Sequence, residues 1–83
     1  LQEASLRELK SIESEFALRQ NIDGCRLQEI WRETSRPDTP YSKFTCGNIQ
    51  TLKENPERAG QDVNKALRAF YEQYYVSGNM RLV

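Results

Sequence analysis

Two glutamates in the segment Arg7–Glu15, RELKSIESE, have the residue type and the spacing of a functional carboxylate pair. Glu8 and Glu15 are seven positions apart, which is close to two turns of an α-helix, so a helix would stack both carboxylates on one face. Such a pair can belong to a solvated charge stripe, or it can take part in binding a cation or a metal ion. The pattern around the pair must decide between these interpretations.

On a helical wheel at about 100° per residue, Glu8 and Glu15 fall within the more apolar half of the first predicted helix. A carboxylate in an apolar face needs a cation, hydrogen-bond donors or a metal ion, because an unpaired buried charge is costly. The wheel alone still admits the charged edge of an ordinary helix. Glu13 falls well away from both carboxylates, so we expect Glu13→Gln to have almost no effect on the function of the Glu8–Glu15 pair. The apolar half also holds Ala4, Leu9, Ile12, Phe16, Leu18 and Ile22.

The composition excludes several classes of function. The 83 residues contain 12 basic and 12 acidic side chains and no histidine, and this balance argues against a nucleic-acid or anionic-membrane surface. No apolar run approaches the roughly 20 residues that a membrane-spanning helix needs. Cys25 and Cys46 lack CxxC spacing, so we expect two free thiols and no zinc-binding tract. Free thiols favour an intracellular location, cytoplasmic or organellar.

The periodicity predicts a mainly α chain. A long helix is predicted over residues 1–33, with Gly24 as a point where it can bend or divide. A connector over 34–61 follows, because Pro37 and Pro40 forbid helix there, and it has room for one short turn at 49–52.

Beyond the connector we predict a second helix and the start of a strand. The helix covers 62–76, is strongly amphipathic, and has Asp62 as its N-cap. Residues 79–83 predict the beginning of one strand. A chain of this length has a marginal core unless something stabilises it further, and we expect both of its ends to be internal to a longer protein.

Three blocks of the sequence resemble one family, in the same order and at similar spacings. RELKSIESE resembles the helix that supplies the third zinc ligand in insulysin- and pitrilysin-type metallopeptidases, the inverzincins of the insulinase family. YSKFTCGNIQTL resembles the family's S-K-F-x-x-G-N-x-x-T-L segment. GQDVNKALRAFYEQYYVSGNM resembles its helix that ends in an aromatic pair, followed by a strand with Met. The resemblance covers nearly the whole chain, and it implies that 1–83 is part of a larger α+β metallopeptidase domain with helices on a sheet.

The resemblance also implies roles for the two glutamates. The family binds zinc through the two histidines of H-x-x-E-H, whose glutamate activates water, and through a third ligand, a glutamate far downstream. By residue-for-residue matching that ligand is Glu15. Glu8 matches a second acidic position near the metal, where it would orient a histidine or the metal environment.

The chain departs from the family's pattern because H-x-x-E-H is absent. We therefore expect no catalytic residue in these 83 residues, no cofactor in the isolated chain, and zinc only in the parent enzyme. The expected partners are the remainder of the peptidase domain and, in the parent, a peptide substrate, with no nucleic acid and no membrane. Three functions stay open: a segment of a zinc endopeptidase, part of a non-catalytic homologue or structural subunit, or a helical interaction module.

The remaining motif residues have a structural and a functional interpretation. The connector residues Ser42, Lys43, Phe44, Gly47 and Asn48 could touch substrate at the edge of the site. We favour a structural role for them, with Phe44 as a buried anchor and Gly47 in a turn with positive φ. The aromatic side chains near the end of the chain could form a peptide-binding platform, but such stripes more often pack in a core; they are Phe70, Tyr71, Tyr74 and Tyr75.

Overall fold

A computed structural model describes residues 2–83, and Leu1, the first residue of the predicted N-terminal helix, lies outside the described residues. The described chain is mainly helical, as predicted. Its four α-helices are α1 (Gln2–Arg19), α2 (Asp23–Thr34), α3 (Asn55–Arg58) and α4 (Val63–Tyr74). Shorter helical turns cover Pro40–Ser42, Gln50–Glu54 and Ser77–Asn79, the second of them π-helical and continuous with α3. None of the described helices is long and apolar enough to cross a membrane.

The helix predicted over 1–33 is divided into α1 and α2 by a turn at 20–22. The backbone of Ile22 is extended, with φ −103° and ψ 117°, so the helical hydrogen-bond ladder stops there. The division falls just before Gly24, the residue expected to mark it, and Gly24 itself lies inside α2. The turn allows the axes of α1 and α2 to differ in direction.

The strand predicted to start within 79–83 is not confirmed. The turn Ser77–Asn79 closes through a hydrogen bond from the Met80 N–H to the Ser77 carbonyl, 3.1 Å long, and Met80 has extended dihedral angles. Residues 80–83 have no regular structure, and no strand occurs within 2–83. A strand requires a neighbouring strand to bond to, and the described chain offers none.

The packing of the described chain centres on the connector, which lies against α1 and α2. Gly47 is the one buried residue within 2–83, and no apolar side chain there is buried. Along α1 a stripe at helical spacing is half-buried; it comprises Ser5, Leu9, Ile12, Glu13 and Phe16. The described structure is thus held by contacts of the connector with α1 and α2, and it buries much less apolar surface than a closed core does.

The apolar face of α4 is uncovered in the described chain. Asp62 caps the helix as predicted, because its carboxylate accepts the Lys65 N–H at 3.1 Å. Leu67 and Phe70 are nevertheless 58% and 53% exposed. The aromatic side chains of this face contact one another: Phe70 and Tyr74 have ring centres 4.8 Å apart. An amphipathic helix of this kind is normally held by a partner surface.

We predict that the isolated 83-residue chain is helical but only marginally stable. The physical reason is that folding must offset the conformational entropy of the chain with little apolar burial. Thermal unfolding followed by far-ultraviolet circular dichroism should give a broad transition of low midpoint. A sharp, concentration-independent transition well above ordinary mesophilic midpoints would contradict the prediction.

A tight turn at Gly47 fixes the end of the connector. Gly47 has φ 74°, as the sequence predicted, and a Cβ at this position would lie 2.8 Å from the Leu52 Cδ1 atom. Immediately after it, Asn48 and Thr51 bond reciprocally: the Thr51 N–H donates to the Asn48 side chain at 2.9 Å, and the Asn48 N–H donates to the Thr51 hydroxyl at 3.0 Å. This is the hydrogen-bond pattern of a capping box, and it starts the helical segment that continues into α3.

We predict that Gly47→Ala opens this turn. The left-handed backbone costs a residue with a Cβ about 1–2 kcal/mol, and the contact with Leu52 adds to that. The Leu52 N–H bonds the Asn48 carbonyl at 2.9 Å, so its protection from hydrogen exchange should fall by roughly 5- to 30-fold.

Two other glycines provide matched controls for this exchange measurement. Gly60 also has positive φ, 71°, but open space around its Cα, and Gly24 has open space and ordinary φ. Gly60→Ala and Gly24→Ala should leave the protection of the Leu52 amide unchanged. Equal loss of protection in all three variants would show that the turn is not constrained in the way described.

Candidate functional site

Glu8 and Glu15 both lie in α1 and are both exposed. Neither carboxylate has an ion pair or a hydrogen bond within residues 2–83. Seven positions separate them, so they occupy the same side of the helix two turns apart. Two unpaired carboxylates on one side of a helix can accept hydrogen bonds or bind a cation.

Apolar residues accompany the two carboxylates on this uncovered side of α1. Leu18 is 69% exposed, and Ala4 is exposed as well. The apolar half of the wheel therefore divides in the structure: Leu9, Ile12 and Phe16 are half-buried, with Phe16 against Phe44, whereas the part that includes Glu8 and Glu15 stays exposed. An open surface that mixes apolar side chains with unpaired carboxylates is the kind that a further protein surface covers.

Phe44 joins the connector to both N-terminal helices. Its ring meets the Phe16 ring of α1 edge to face, with centres 5.8 Å apart and an interplanar angle of 86°. The guanidinium carbon of Arg32, from α2, lies 5.5 Å from the centre of the Phe44 ring. Edge-to-face pairs and cation–π contacts are both attractive because of the charge distribution of the aromatic ring. Phe44, expected to be a buried anchor, is half-buried and makes these two contacts.

Arg32 holds the connector on α2 through hydrogen bonds as well. Its Nη1 donates to the Ser42 carbonyl at 2.8 Å, and its Nε donates to Glu29 at 2.8 Å. A third bond runs to Glu33, and the side chain is only 16% exposed. The hydrogen bond that Arg32 donates to Glu29 raises the pKa of Arg32, so the guanidinium stays a cation. Arg32 belongs to none of the sequence motifs, although the Glu29–Arg32 spacing of three is a signal for such a pair.

Ser42, Lys43 and Asn48 have different surroundings in the connector. The Ser42 hydroxyl donates to the Pro37 and Thr39 carbonyls at 2.8 and 2.7 Å, which closes the proline turn. Asn48 is used in the reciprocal bonds with Thr51, whereas Lys43 is exposed. Contact of these residues with substrate stays a prediction.

Glu13 makes a contact that the helical wheel missed. Its Oε2 accepts the backbone N–H of Ile49 at 2.7 Å, across 36 positions of sequence. The structure places Glu13 on the packed side of α1, and the expectation that Glu13→Gln has little effect on zinc content and turnover, which rests on the angle of Glu13, stays a prediction. No periodic pattern could have revealed the contact, because the partner is a backbone N–H.

An open cavity of about 970 Å³ lies between α2, the end of α1 and the connector. Its walls include Phe16, Ile30 and Phe44, together with the half-buried Cys25 and Cys46. Both cysteines are free thiols, as predicted. Most of the other lining side chains are polar.

The described residues do not form a complete metal site. No group of three or more Cys, Asp, Glu or His side chains within 2–83 could hold a metal ion together. A zinc site takes four ligands, with nitrogen and sulfur ligands common among them, and Glu15 can supply one carboxylate oxygen.

Curated relatives match the chain along almost its full length. A peroxisomal insulin-degrading enzyme-like protein of Arabidopsis thaliana is 37% identical over 98% of the chain. A protein of Schizosaccharomyces pombe whose name includes the words zinc protease is 36% identical over 100% of it, and protease 3 of Escherichia coli is 36% identical over 93%. The chain belongs to the insulinase family of zinc metallopeptidases. No family model matches it.

The chain spans a small part of these insulinase-family relatives. It covers 8% of the Arabidopsis protein, 9% of the Schizosaccharomyces protein and 8% of the Escherichia protein. The family resemblance read from RELKSIESE, YSKFTCGNIQTL and the α4 block is thereby confirmed. The individual roles of Glu8 and Glu15 are a separate matter, which identity over the chain does not decide.

We predict that the isolated insulinase-family chain binds zinc weakly and cleaves no peptide. One carboxylate, or two, makes a poor zinc site without nitrogen or sulfur ligands. Calorimetric titration with zinc at neutral pH should show no submicromolar binding, and Glu15→Gln should leave the titration nearly unchanged. Submicromolar affinity, or turnover of a quenched peptide that a chelator abolishes, would contradict the prediction.

Proposed function

We propose that the chain is the segment of a zinc endopeptidase that supplies Glu15 as a metal ligand. The parent enzyme hydrolyses peptides with water activated by the metal. Zinc, when bound, lowers the pKa of its water to near neutrality and polarises the scissile carbonyl. The two histidines and the glutamate of H-x-x-E-H come from the parent protein outside these 83 residues, so the chain alone is not catalytic.

The observation that carries the proposal is the unequal use of the two sides of α1. One side is engaged with the connector through Phe16 and Glu13. The other side presents Glu8 and Glu15 with no partner among residues 2–83. A carboxylate whose metal ion is also held by ligands from another part of the protein needs a backbone fixed in place. Its side chain must also be unpaired, so that it is free to bind the metal.

Glu8 takes a supporting role in this proposal. An outer carboxylate next to a metal site accepts a hydrogen bond from a ligating histidine, which fixes the ring and its tautomer. Glu8 lies two turns before Glu15 on the same side, so it can reach the surroundings of the same metal. In this role Glu8 does not bind the metal ion itself.

The remainder of the peptidase domain is the partner that the proposal requires. It covers the open side of α1 and the apolar face of α4, and it supplies the sheet to which residues 79–83 add a strand. The peptide substrate binds in the parent, and the balanced charge of the chain fits neither nucleic acid nor an anionic membrane. Two free thiols fit an intracellular location.

We predict that Glu15→Gln in the parent protein removes most of its zinc and activity. Gln keeps the size of the side chain but replaces an anionic oxygen ligand with a neutral one. Glu8→Gln should reduce affinity or activity by roughly 10- to 100-fold, the range for outer partners of metal ligands. Zinc content and peptide turnover of the purified full-length variants provide the measurement.

Glu3→Gln is the matched control, because Glu3 is an exposed glutamate of the same helix on the opposite side of the wheel. It should leave zinc and turnover unchanged. A Glu15→Gln variant that keeps its zinc would remove Glu15 from the ligand set, and a parent protein that lacks H-x-x-E-H upstream would instead favour a non-catalytic homologue of the same fold.

A further inference from the structure

The contact between Glu13 and Ile49 ties the helix that carries Glu8 and Glu15 to the start of a distant helical segment. It spans 36 residues, whereas the bond from Arg32 to the Ser42 carbonyl spans 10. Both partners of the contact are half-buried. It therefore fixes tertiary structure in a way that the local bonds of the connector do not.

The chemistry of the contact makes it stronger than an ordinary surface hydrogen bond. An ionised carboxylate accepting a backbone N–H forms a charge-assisted bond. The donor belongs to the first turn of the helical segment that follows Asn48, where N–H groups lack intrahelical partners and the helix dipole favours negative charge. Glu13 thus completes the capping that Asn48 and Thr51 begin.

The contact of Glu13 with Ile49, together with that of Phe16 with Phe44, restricts the rotation of α1 about its own axis. Glu13 and Phe16 are three positions apart in α1, and each contacts the connector: Glu13 at Ile49, and Phe16 at Phe44. One contact would let the helix roll about its axis, whereas two contacts one turn apart define its orientation. Glu15 lies about 200° around the helix from Glu13, so the orientation of the packed side determines the direction of the open side.

We infer that Glu13 is a positioning residue, which fixes the rotation of α1 and thereby the direction in which Glu15 and Glu8 present their carboxylates. The rotation of α1 is fixed by the contacts of Glu13 with Ile49 and of Phe16 with Phe44. Its consequence for zinc rests on the proposed function of Glu15. Glu13 does not touch the metal in this arrangement, because it lies on the opposite side of the helix.

The test uses the full-length parent protein with Glu13→Ala and Glu13→Gln. The Ala variant removes the acceptor, and zinc affinity should fall by roughly 10-fold or more, as for other supports of metal ligands. The Gln variant keeps an amide oxygen that can accept the Ile49 N–H, so it should recover most of the affinity. Ser14→Ala, which removes a hydroxyl that donates only to the Lys10 carbonyl at 2.9 Å, should bind zinc normally.

A second measurement separates positioning from loss of stability. Gly60→Ala strains a positive φ away from α1 and should lower stability without lowering zinc affinity. Equal zinc loss in Gly60→Ala and Glu13→Ala variants of similar stability would overturn the inference, because a general structural effect would then explain it.

Distances between spin labels report the rotation of α1 without any zinc. Labels at Ala4→Cys and Glu57→Cys, in a background with Cys25→Ser and Cys46→Ser, should give a narrow distance distribution that Glu13→Ala broadens and Glu13→Gln restores. An unchanged distribution in Glu13→Ala would overturn the inference. If Glu15→Gln keeps its zinc, the proposed function fails, and these distances still decide whether Glu13 positions the helix.

Discussion

The placement of the connector between α1 and α2 is the constraint on which the described structure depends. Phe44 contacts Phe16 on one side and lies under Arg32 on the other. These contacts join segments that are distant in sequence, and they do so with little apolar burial elsewhere in 2–83. The structure therefore relies on a few directed contacts, each of which has a defined geometry, and not on the volume of a core.

Because few contacts hold α1, only one of its sides is needed for packing, and the other side stays exposed. The side of α1 that faces the connector is engaged by aromatic packing and by the Glu13 carboxylate. Its open side is then available to a different surface. The uncovered face of α4, with Leu67 and Phe70 exposed, follows the same logic, since an amphipathic helix gains most of its stability from what it packs against. A segment that covers 8% of a relative's length is expected to have such faces.

The sequence predicts a mainly helical chain, but it places residues 50–58, which are helical in the structure, inside the connector, and it predicts few of the contacts. The apolar spacing of α4 and the Asp62 cap are local signals, and the positive φ of Gly47 follows from turn chemistry. The sequence predicts the break at Gly24 because glycine is the usual local signal, whereas in the structure α1 ends at Arg19 and the extended Ile22 is the N-cap of α2. The contacts from Glu13 to Ile49 and from Arg32 to Ser42 have no sequence signal because the partner in each is a backbone group, whereas the Glu29–Arg32 pair has one in its spacing of three. The strand could not form without a neighbour.

The 36-residue span of the Glu13 contact also sets an order of events during synthesis. A ribosome releases the chain from its N-terminus, so α1 emerges long before its acceptor meets the Ile49 N–H. Closing a loop of that length costs roughly 3 kcal/mol of chain entropy, so the nascent helix is free to rotate until the connector has emerged and docked. The acidic side of α1 thus acquires a fixed direction late, when the donor that orients its opposite side becomes available.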